Sequence, residues 1–200
     1  HRCLLTDNGA FAVLEGAMGD DLFADARLYD YLLVLDRELS ERARHAGCPR
    51  CAGRLHSASY PRKPRGGPRG AHARRFSLCC ARCRKRVTPP SVRFLGRRVY
   101  YGVVVVLACV RTLSAARLSE LEALLGVDRR TLRRWRRWWR ESLVRSPWWR
   151  TARARFLPPL EEQRLPGALL ARFEAPEPMR RMADVLAFLA PLSVVAGHVG

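Results

Sequence analysis

Two close pairs of cysteines constrain this chain more than any other feature. Cys48 and Cys51 are two residues apart, Cys80 and Cys83 likewise, and twenty-eight residues separate the pairs. Two intervening residues make a turn tight enough to aim both sulfurs at one centre. Two such turns can therefore offer four thiolates to a single tetrahedral ion, a set that suits Zn2+. The first pair reads Cys48-Pro49-Arg50-Cys51-Ala52-Gly53, and Gly53 is expected to supply the backbone freedom such a turn needs. In the second pair Cys79 competes with Cys80. Strand neighbours point to opposite faces, so only one of the two can reach the centre, and the spacing selects Cys80. His56 and His72 are ordinary loop or strand residues that could substitute for a cysteine. Seven cysteines is an odd number, and nothing marks an oxidising compartment, which argues against a disulfide framework. Four thiolates leave no open position for water, so the expected role of the ion is structural.

Charge narrows the partners. The net charge is +19 and the pI about 11.2. Residues 1–47 hold nine acids and five bases, whereas residues 48–119 hold seventeen Arg or Lys and no Asp or Glu. Thirty-five of the 37 basic residues are arginine, a ratio that coding bias can produce, but such bias does not remove every acid from seventy-two residues. A block that cannot neutralise itself attracts phosphate polyanions. The longest apolar run, Tyr100 to Val110, has eleven residues. A hydrocarbon core of ~30 Å needs about 20, so no membrane span is expected. The amino end also lacks the basic, apolar and small-residue succession of a secretion signal.

Along the chain, residues 1–19 read as an unstructured or upstream extension, with Met18 a candidate start. Residues 20–47 read as one amphipathic helix, on which Leu22, Ala26, Tyr29, Leu33, Asp36 and Leu39 follow helical spacing and which Gly47 ends. Residues 48–95 combine the cysteine pairs with strands expected at Arg54 to Tyr60 and Arg74 to Leu78, joined by the Pro/Gly/Arg-rich loop 61–70. Residues 96–147 hold three helical patterns, Val99 to Leu113, Leu118 to Leu125 and Arg129 to Leu143. The tail, 148–200, has two shorter helices starting near Pro166 and Pro178, both suited to a first turn.

The third pattern is unusual in composition. From Asp128 to Arg140 there are seven arginines and three tryptophans in thirteen residues. At 100° per residue, Leu132, Trp135, Trp139 and Leu143 form one stripe, with Arg130, Arg134 and Arg137 opposite and Arg133 between. Asp128 is placed to cap the first turn. Upstream, Leu118, Leu121, Leu124, Leu125 and Val127 suit a short helix closed by a turn at Gly126. A scaffold helix, a tight turn and a second, cationic helix are what insertion into a major groove requires, where arginine can donate two bonds to guanine. Trp138, Trp148 and Trp149 are either core or stacking surfaces for unpaired bases.

A Cys-Pro-x-Cys-x-Gly zinc ribbon followed at once by a helix-turn-helix resembles the amino-terminal DNA-binding region of bacterial insertion-sequence transposases, over roughly residues 48–143. The resemblance implies DNA binding in a bacterial cytoplasm, near the nucleoid, linked to mobile DNA. The catalytic part does not carry over. Its three metal-holding carboxylates sit on a strand-rich fold, and the sixty residues after Arg140 hold Glu141, Glu161, Glu162, Glu174, Glu177 and Asp184 without such a pattern. The expectation is thus a mostly helical α+β protein with a small β zinc ribbon, a three-helix helix-turn-helix and a helical tail, binding duplex DNA without catalysis and outside membranes. Arg62, Lys63, Arg65, Arg69, Arg82, Arg84 and Lys85 are assigned to phosphates, and Arg130, Arg133, Arg134 and Arg137 to base edges. RNA binding, an adaptor role and a truncated transposase stay open, and the acidic first helix is either a surface for a homodimer or an internal shield for the basic region.

Overall fold

Asp25 opens the first long helix, its carboxylate accepting a bond of 2.9 Å from the backbone N–H of Arg27. In the computed structural model, which describes residues 20–64, 66–95 and 100–194, this helix α1 runs Ala26–Ala46 and stops at Gly47. The protein is α+β and mostly helical, about 58%. The chain divides into two units. One comprises Asp25–Gly102 and the residues from Leu186 on; the other joins the residues before Asp25 to Val103–Val185. The expected extension 1–19, Arg65 and the segment 96–99 lie outside the described residues.

In the first unit α1 starts later than its pattern suggests, because the cap sits at Asp25 and the residues Asp20–Phe23 form a separate 3-10 turn. Its buried face is also rotated. Leu28, Tyr29, Leu32, Asp36 and Ser40 are enclosed, whereas Ala26 is exposed and Leu33 and Leu39 are half-buried. The rotation has a cause. Asp36 Oδ2 accepts from Arg93 Nε at 2.8 Å and Ser91 Oγ at 2.5 Å, and Oδ1 accepts from the Val92 N–H at 2.6 Å. Arg93 then donates to the carbonyls of His72 at 2.5 Å and Arg74 at 2.8 Å, and its guanidinium lies 5.1 Å from the centres of both the Phe76 and Phe94 rings. Both charged side chains are fully buried, and a buried pair persists only when its remaining donors and acceptors are satisfied.

Five short strands follow α1: β1 (Leu55–Ser57), β2 (Tyr60–Pro61), β3 (Arg74–Arg75), β4 (Leu78–Cys80) and β5 (Arg86–Val87). They form an antiparallel three-stranded sheet, β1-β4-β5, and a separate pair, β2-β3. Each expected strand is thus broken in two. The break falls where Ala58 N–H bonds Ser77 O at 2.8 Å, between the two sheets. β5 has only two residues and no periodic signal in the sequence. Leu55, Leu78, Cys48 and Cys80 make a small core, against which Ala43 of α1 packs.

α2 (Gly102–Val110), in the second unit from Val103 on, is buried along all but its last residue, as a helix apolar on every side should be. It ends three residues before the expected Leu113. α3 (Ala115–Leu125) begins earlier than expected, because Ser114 Oγ caps it by accepting from Arg117 N–H at 3.1 Å. α4 (Arg129–Arg137) continues as a π-helical turn, Trp138–Leu143. α5 (Pro147–Ala152), α6 (Gly167–Ala171) and α7 (Pro178–Leu189) follow, and a 3-10 turn at Ala190–Ser193 comes after α7; Pro166 sits just before α6 rather than in its first turn, and the boundary between units falls within α7. No helix among the described residues is long and apolar enough to cross a membrane.

Removing Asp36 strands a buried guanidinium. Asp36→Ala is expected to lower unfolding free energy by about 3–5 kcal/mol in urea titrations, whereas Glu38→Ala, exposed on the same helix, should change it by less than about 0.5. Equal effects of the two would show that the pair does not hold this unit.

Candidate metal centre and basic helix

The two cysteine turns are built alike. In the first, Cys48 N–H bonds Gly53 O at 3.0 Å and Ala52 N–H bonds Cys48 O at 2.8 Å. In the second, Cys80 N–H bonds Lys85 O at 3.0 Å and Arg84 N–H bonds Cys80 O at 3.0 Å. The residue after each closing cysteine is left-handed, Ala52 at φ 55° and Arg84 at φ 56°. This corrects the expected role of Gly53, whose φ is not in the left-handed region. Glycine is needed there for space: a Cβ would sit 2.9 Å from Cys80 Sγ and 3.3 Å from Cys51 Sγ. A bond of 2.9 Å from Ala81 N–H to Arg54 O ties the two turns together.

The result is a cluster of four sulfurs, all within 4.8 Å of one another, with Cys48 to Cys83 at 3.6 Å and Cys51 to Cys80 at 3.5 Å. A tetrahedral site with Zn–S near 2.3 Å has sulfurs about 3.8 Å apart, so the four could hold such an ion. These separations are far beyond a covalent S–S bond of about 2.05 Å, and the cysteines among the described residues are free thiols. Backbone N–H groups aim at the sulfurs. Those of Cys83 and Arg82 bring Cys80 down to about 6, and that of Arg50 leads the lowering of Cys48. Cys83 is favoured as a thiolate by the Lys85 N–H, yet burial and the neighbouring thiols push it up to about 11. Four close sulfurs cannot all ionise without a cation to share.

Cys79 stands apart. It lies opposite His56 on β4, and its Sγ is directed at Arg84 O, 3.7 Å away. Neither His56 nor His72 belongs to the sulfur cluster; His72 Nε2 is 2.7 Å from Asp30 Oδ1. Among the described residues, the four cysteines are the one group of three or more His, Cys, Asp or Glu placed to share an ion. Of the carboxylates after Arg140, Glu161, Glu162 and Asp184 pair with Arg164, Arg153 and Arg180.

The basic helix is assembled from its caps inward. Gly126, at φ 60°, ends α3 with its N–H on Glu122 O, the conformation glycine adopts without penalty. Val127 is buried, and Asp128 caps α4 by accepting from Arg130 N–H at 2.7 Å. Leu132, Trp135, Trp139 and Leu143 are wholly enclosed, and Trp139 donates to Val105 O on α2 at 3.4 Å. The helix expected to run on to Leu143 passes into a π turn at Trp138. By widening the helix it brings Trp138 inside as well, edge-on to Trp139 at 4.9 Å. Trp149 is also enclosed, its indole N–H on Glu162 at 2.8 Å. Neither ring has a face for a base, whereas Trp148 is half-buried. Of the apolar residues that suited the preceding helix, Leu124 is 54% exposed.

Arg130, Arg133 and Arg137 are exposed on the opposite side, and Arg134 is half-buried with its Nε enclosed. Two other arginines of the run are engaged internally: Arg129 bonds Glu122 at 2.6 Å, and Arg136 donates to the carbonyls of Cys109 and Arg111 at the end of α2. Of the residues assigned to phosphates, Lys63, Arg69, Arg82, Arg84 and Lys85 are exposed, Arg62 is half-buried against Tyr60, and Arg65 lies outside the described residues. Sequence reasoning passed over Arg74 and Arg86, whose positions depend on cross-strand pairing that no local pattern reveals.

No family model, curated protein or solved structure matches the chain.

The thiols should separate chemically. With metal loaded, Cys80→Ser is expected to abolish stoichiometric metal retention while Cys79→Ser keeps it, as read by elemental analysis. Cys109, enclosed in α2 and pushed up to about 12 by burial, should resist iodoacetamide at pH 8 under native conditions while Cys79 is alkylated. Metal retained by Cys80→Ser and lost by Cys79→Ser would reassign the ligand.

Proposed function

We propose that this chain is a non-catalytic, zinc-dependent DNA-binding protein. In this reading Cys48, Cys51, Cys80 and Cys83 hold a structural zinc ion in a zinc ribbon, and α3 and α4 form a helix-turn-helix whose second helix enters the major groove. One observation carries it. α4 and the π turn that continues it are anchored by four enclosed apolar side chains, while Arg130, Arg133 and Arg137 project from the other side. Like charges at i and i+4 repel, so such a row costs stability unless an anion relieves it. The short turn through a left-handed Gly126, capped on both sides, supplies the rigidity that base reading needs.

The donor set supports zinc. Soft thiolates select zinc over the oxygen-seeking divalent ions, and the apolar core around the sulfurs is a handful of residues, too little to hold the ribbon unaided. Bound there, zinc would cross-link the two turns and offer no open position for hydrolysis. The order of ribbon and helix-turn-helix keeps the likeness to the DNA-binding end of insertion-sequence transposases, without their catalytic carboxylates. In this scheme the ribbon and loop cations position the protein on phosphates, and Arg130, Arg133 and Arg137, with Arg134 at their flank, approach base edges.

The deciding experiment is binding of the zinc-loaded protein to random duplex DNA and to RNA across a salt series, with a chelated sample alongside. Preference for duplex DNA, a slope near −5 for about six phosphate contacts, and loss on chelation are the expected results. Once a preferred site is selected, Arg133→Ala with Arg137→Ala should cost that site about 1–3 kcal/mol per lost base contact and random DNA much less. Preference for RNA, or binding that ignores salt, would overturn the reading.

A further inference from the structure

Tyr60 and the two residues before it collect three arginines from three separate places in the chain. Arg62, just beyond β2, donates to Tyr60 Oη at 2.9 Å, and its guanidinium carbon lies 5.3 Å from the ring centre. Arg86, on β5, lies at the same distance from the same ring and donates to Ala58 O at 3.1 Å and Ser77 Oγ at 3.2 Å. Arg74, on β3, donates to Ser59 O at 3.4 Å. Register produces this gathering: β2 pairs with β3, placing Arg74 opposite Pro61, and β5 pairs with β4 beyond the bend at Ser77.

The acceptors matter as much as the donors. Among the described residues, Arg74 and Arg86 bond to carbonyl and hydroxyl oxygens and to no carboxylate. A neutral acceptor fixes a guanidinium without cancelling its charge, and five N–H donors leave others for an incoming anion. Arg74 and Arg86 are both exposed. Beneath them Arg75 is enclosed: burial pushes it down to about 10, the charges of Arg62 and Arg93 add to the fall, and Asp36 and Tyr60 oppose it. The neighbourhood is overloaded with positive charge.

We propose that Arg62, Arg74 and Arg86 form a preorganised phosphate site around Tyr60, which takes phosphodiester groups of a nucleic-acid backbone. The nucleic acid as source rests on the function proposed above; the anion site does not. Nucleic acid is favoured over a small phosphate because the three cations belong to a block of seventy-two residues without an acid, whose uncancelled charge a polyanion can meet through several phosphates at once.

Two measurements on the zinc-loaded full chain test it. The first is titration with inorganic pyrophosphate, followed through arginine Nε–Hε resonances. Those of Arg62, Arg74 and Arg86 are expected to shift ahead of the others. The second compares Arg74→Gln/Arg86→Gln with Arg37→Gln/Arg42→Gln, which removes the same charge from exposed positions on α1. Gln keeps a donor for the Ala58 and Ser59 carbonyls. On random duplex DNA the magnitude of the salt slope should fall by about 1–2 for the first variant, about 0.9 per phosphate lost, and stay near wild type for the second. Equal slopes for both variants, together with unselective shifts, would overturn the site. Selective shifts in a protein that ignores DNA and RNA would leave the site standing, with a free phosphate as its ligand, and would sink the function instead. If the Arg74 variant does not fold, as judged by zinc content and circular dichroism, the wild-type titration decides.

Discussion

Most of this structure depends on one constraint: between residues 48 and 119 there is no carboxylate to meet any of seventeen basic side chains. An arginine that leaves water must find acceptors, because an unpaired buried charge costs several kcal/mol. Here the acceptors are either borrowed from outside the block or taken from the backbone. Arg93 borrows Asp36 from α1, and Arg117 borrows Asp20 and Glu120. Arg75 uses Pro89 O, and Arg93 completes its bonds on His72 O and Arg74 O. The same device recurs beyond the block, where Arg136 closes the carbonyl end of α2.

Backbone acceptors have a consequence that carboxylates do not. A guanidinium on a carbonyl keeps its charge, so tying down the arginines does not neutralise the surface. Arg74 and Arg86 are held in place and remain cationic, as are Arg130, Arg133 and Arg137 through the fixed frame of α4. For binding a polyanion this is the favourable combination, since ordering long side chains in advance removes part of the entropy lost on association. Pairing each arginine with a carboxylate would have ordered it too, but at the expense of its attraction for phosphate.

What was legible in the sequence follows from the range of each interaction. The spacing of Cys48, Cys51, Cys80 and Cys83, the cap at Asp128, the turn at Gly126 and the buried stripe of Leu132, Trp135, Trp139 and Leu143 are local, and they are found where local rules place them. Asp36 fell on a helical stripe, but nothing nearby announced Arg93, fifty-seven residues on, so the buried face of α1 was rotated from its expected setting. The π turn at Trp138 is likewise a tertiary outcome: two adjacent tryptophans both gain by burial, and a widened turn is the local distortion that admits both. Strands of two residues carry no period at all, which is why β5 and the breaks at Ala58–Ser59 and Phe76–Ser77 left no trace.

The cysteine cluster bears on the same charge problem. On the zinc reading, four thiolates around a divalent ion carry a net charge of about −2, which would make the centre the one anionic group inside the acid-free block. Arg50, Arg54, Arg82, Arg84 and Lys85 lie on or beside its two turns, all exposed. On that reading, and on the proposal of a nucleic-acid partner, these cations would act in two directions, stabilising the thiolates inward and attracting a polyanion outward, and carboxylates on the same turns would weaken both effects. The sulfurs compete for charge, with Cys80 brought down and Cys83 pushed up, and on the zinc reading loss of the ion would leave protons in its place. The cations would then lose the inward partner that offsets their mutual repulsion. Metal retention, ribbon folding and affinity for phosphate are on this argument parts of one electrostatic balance, with the absence of acids between residues 48 and 119 as its common cause.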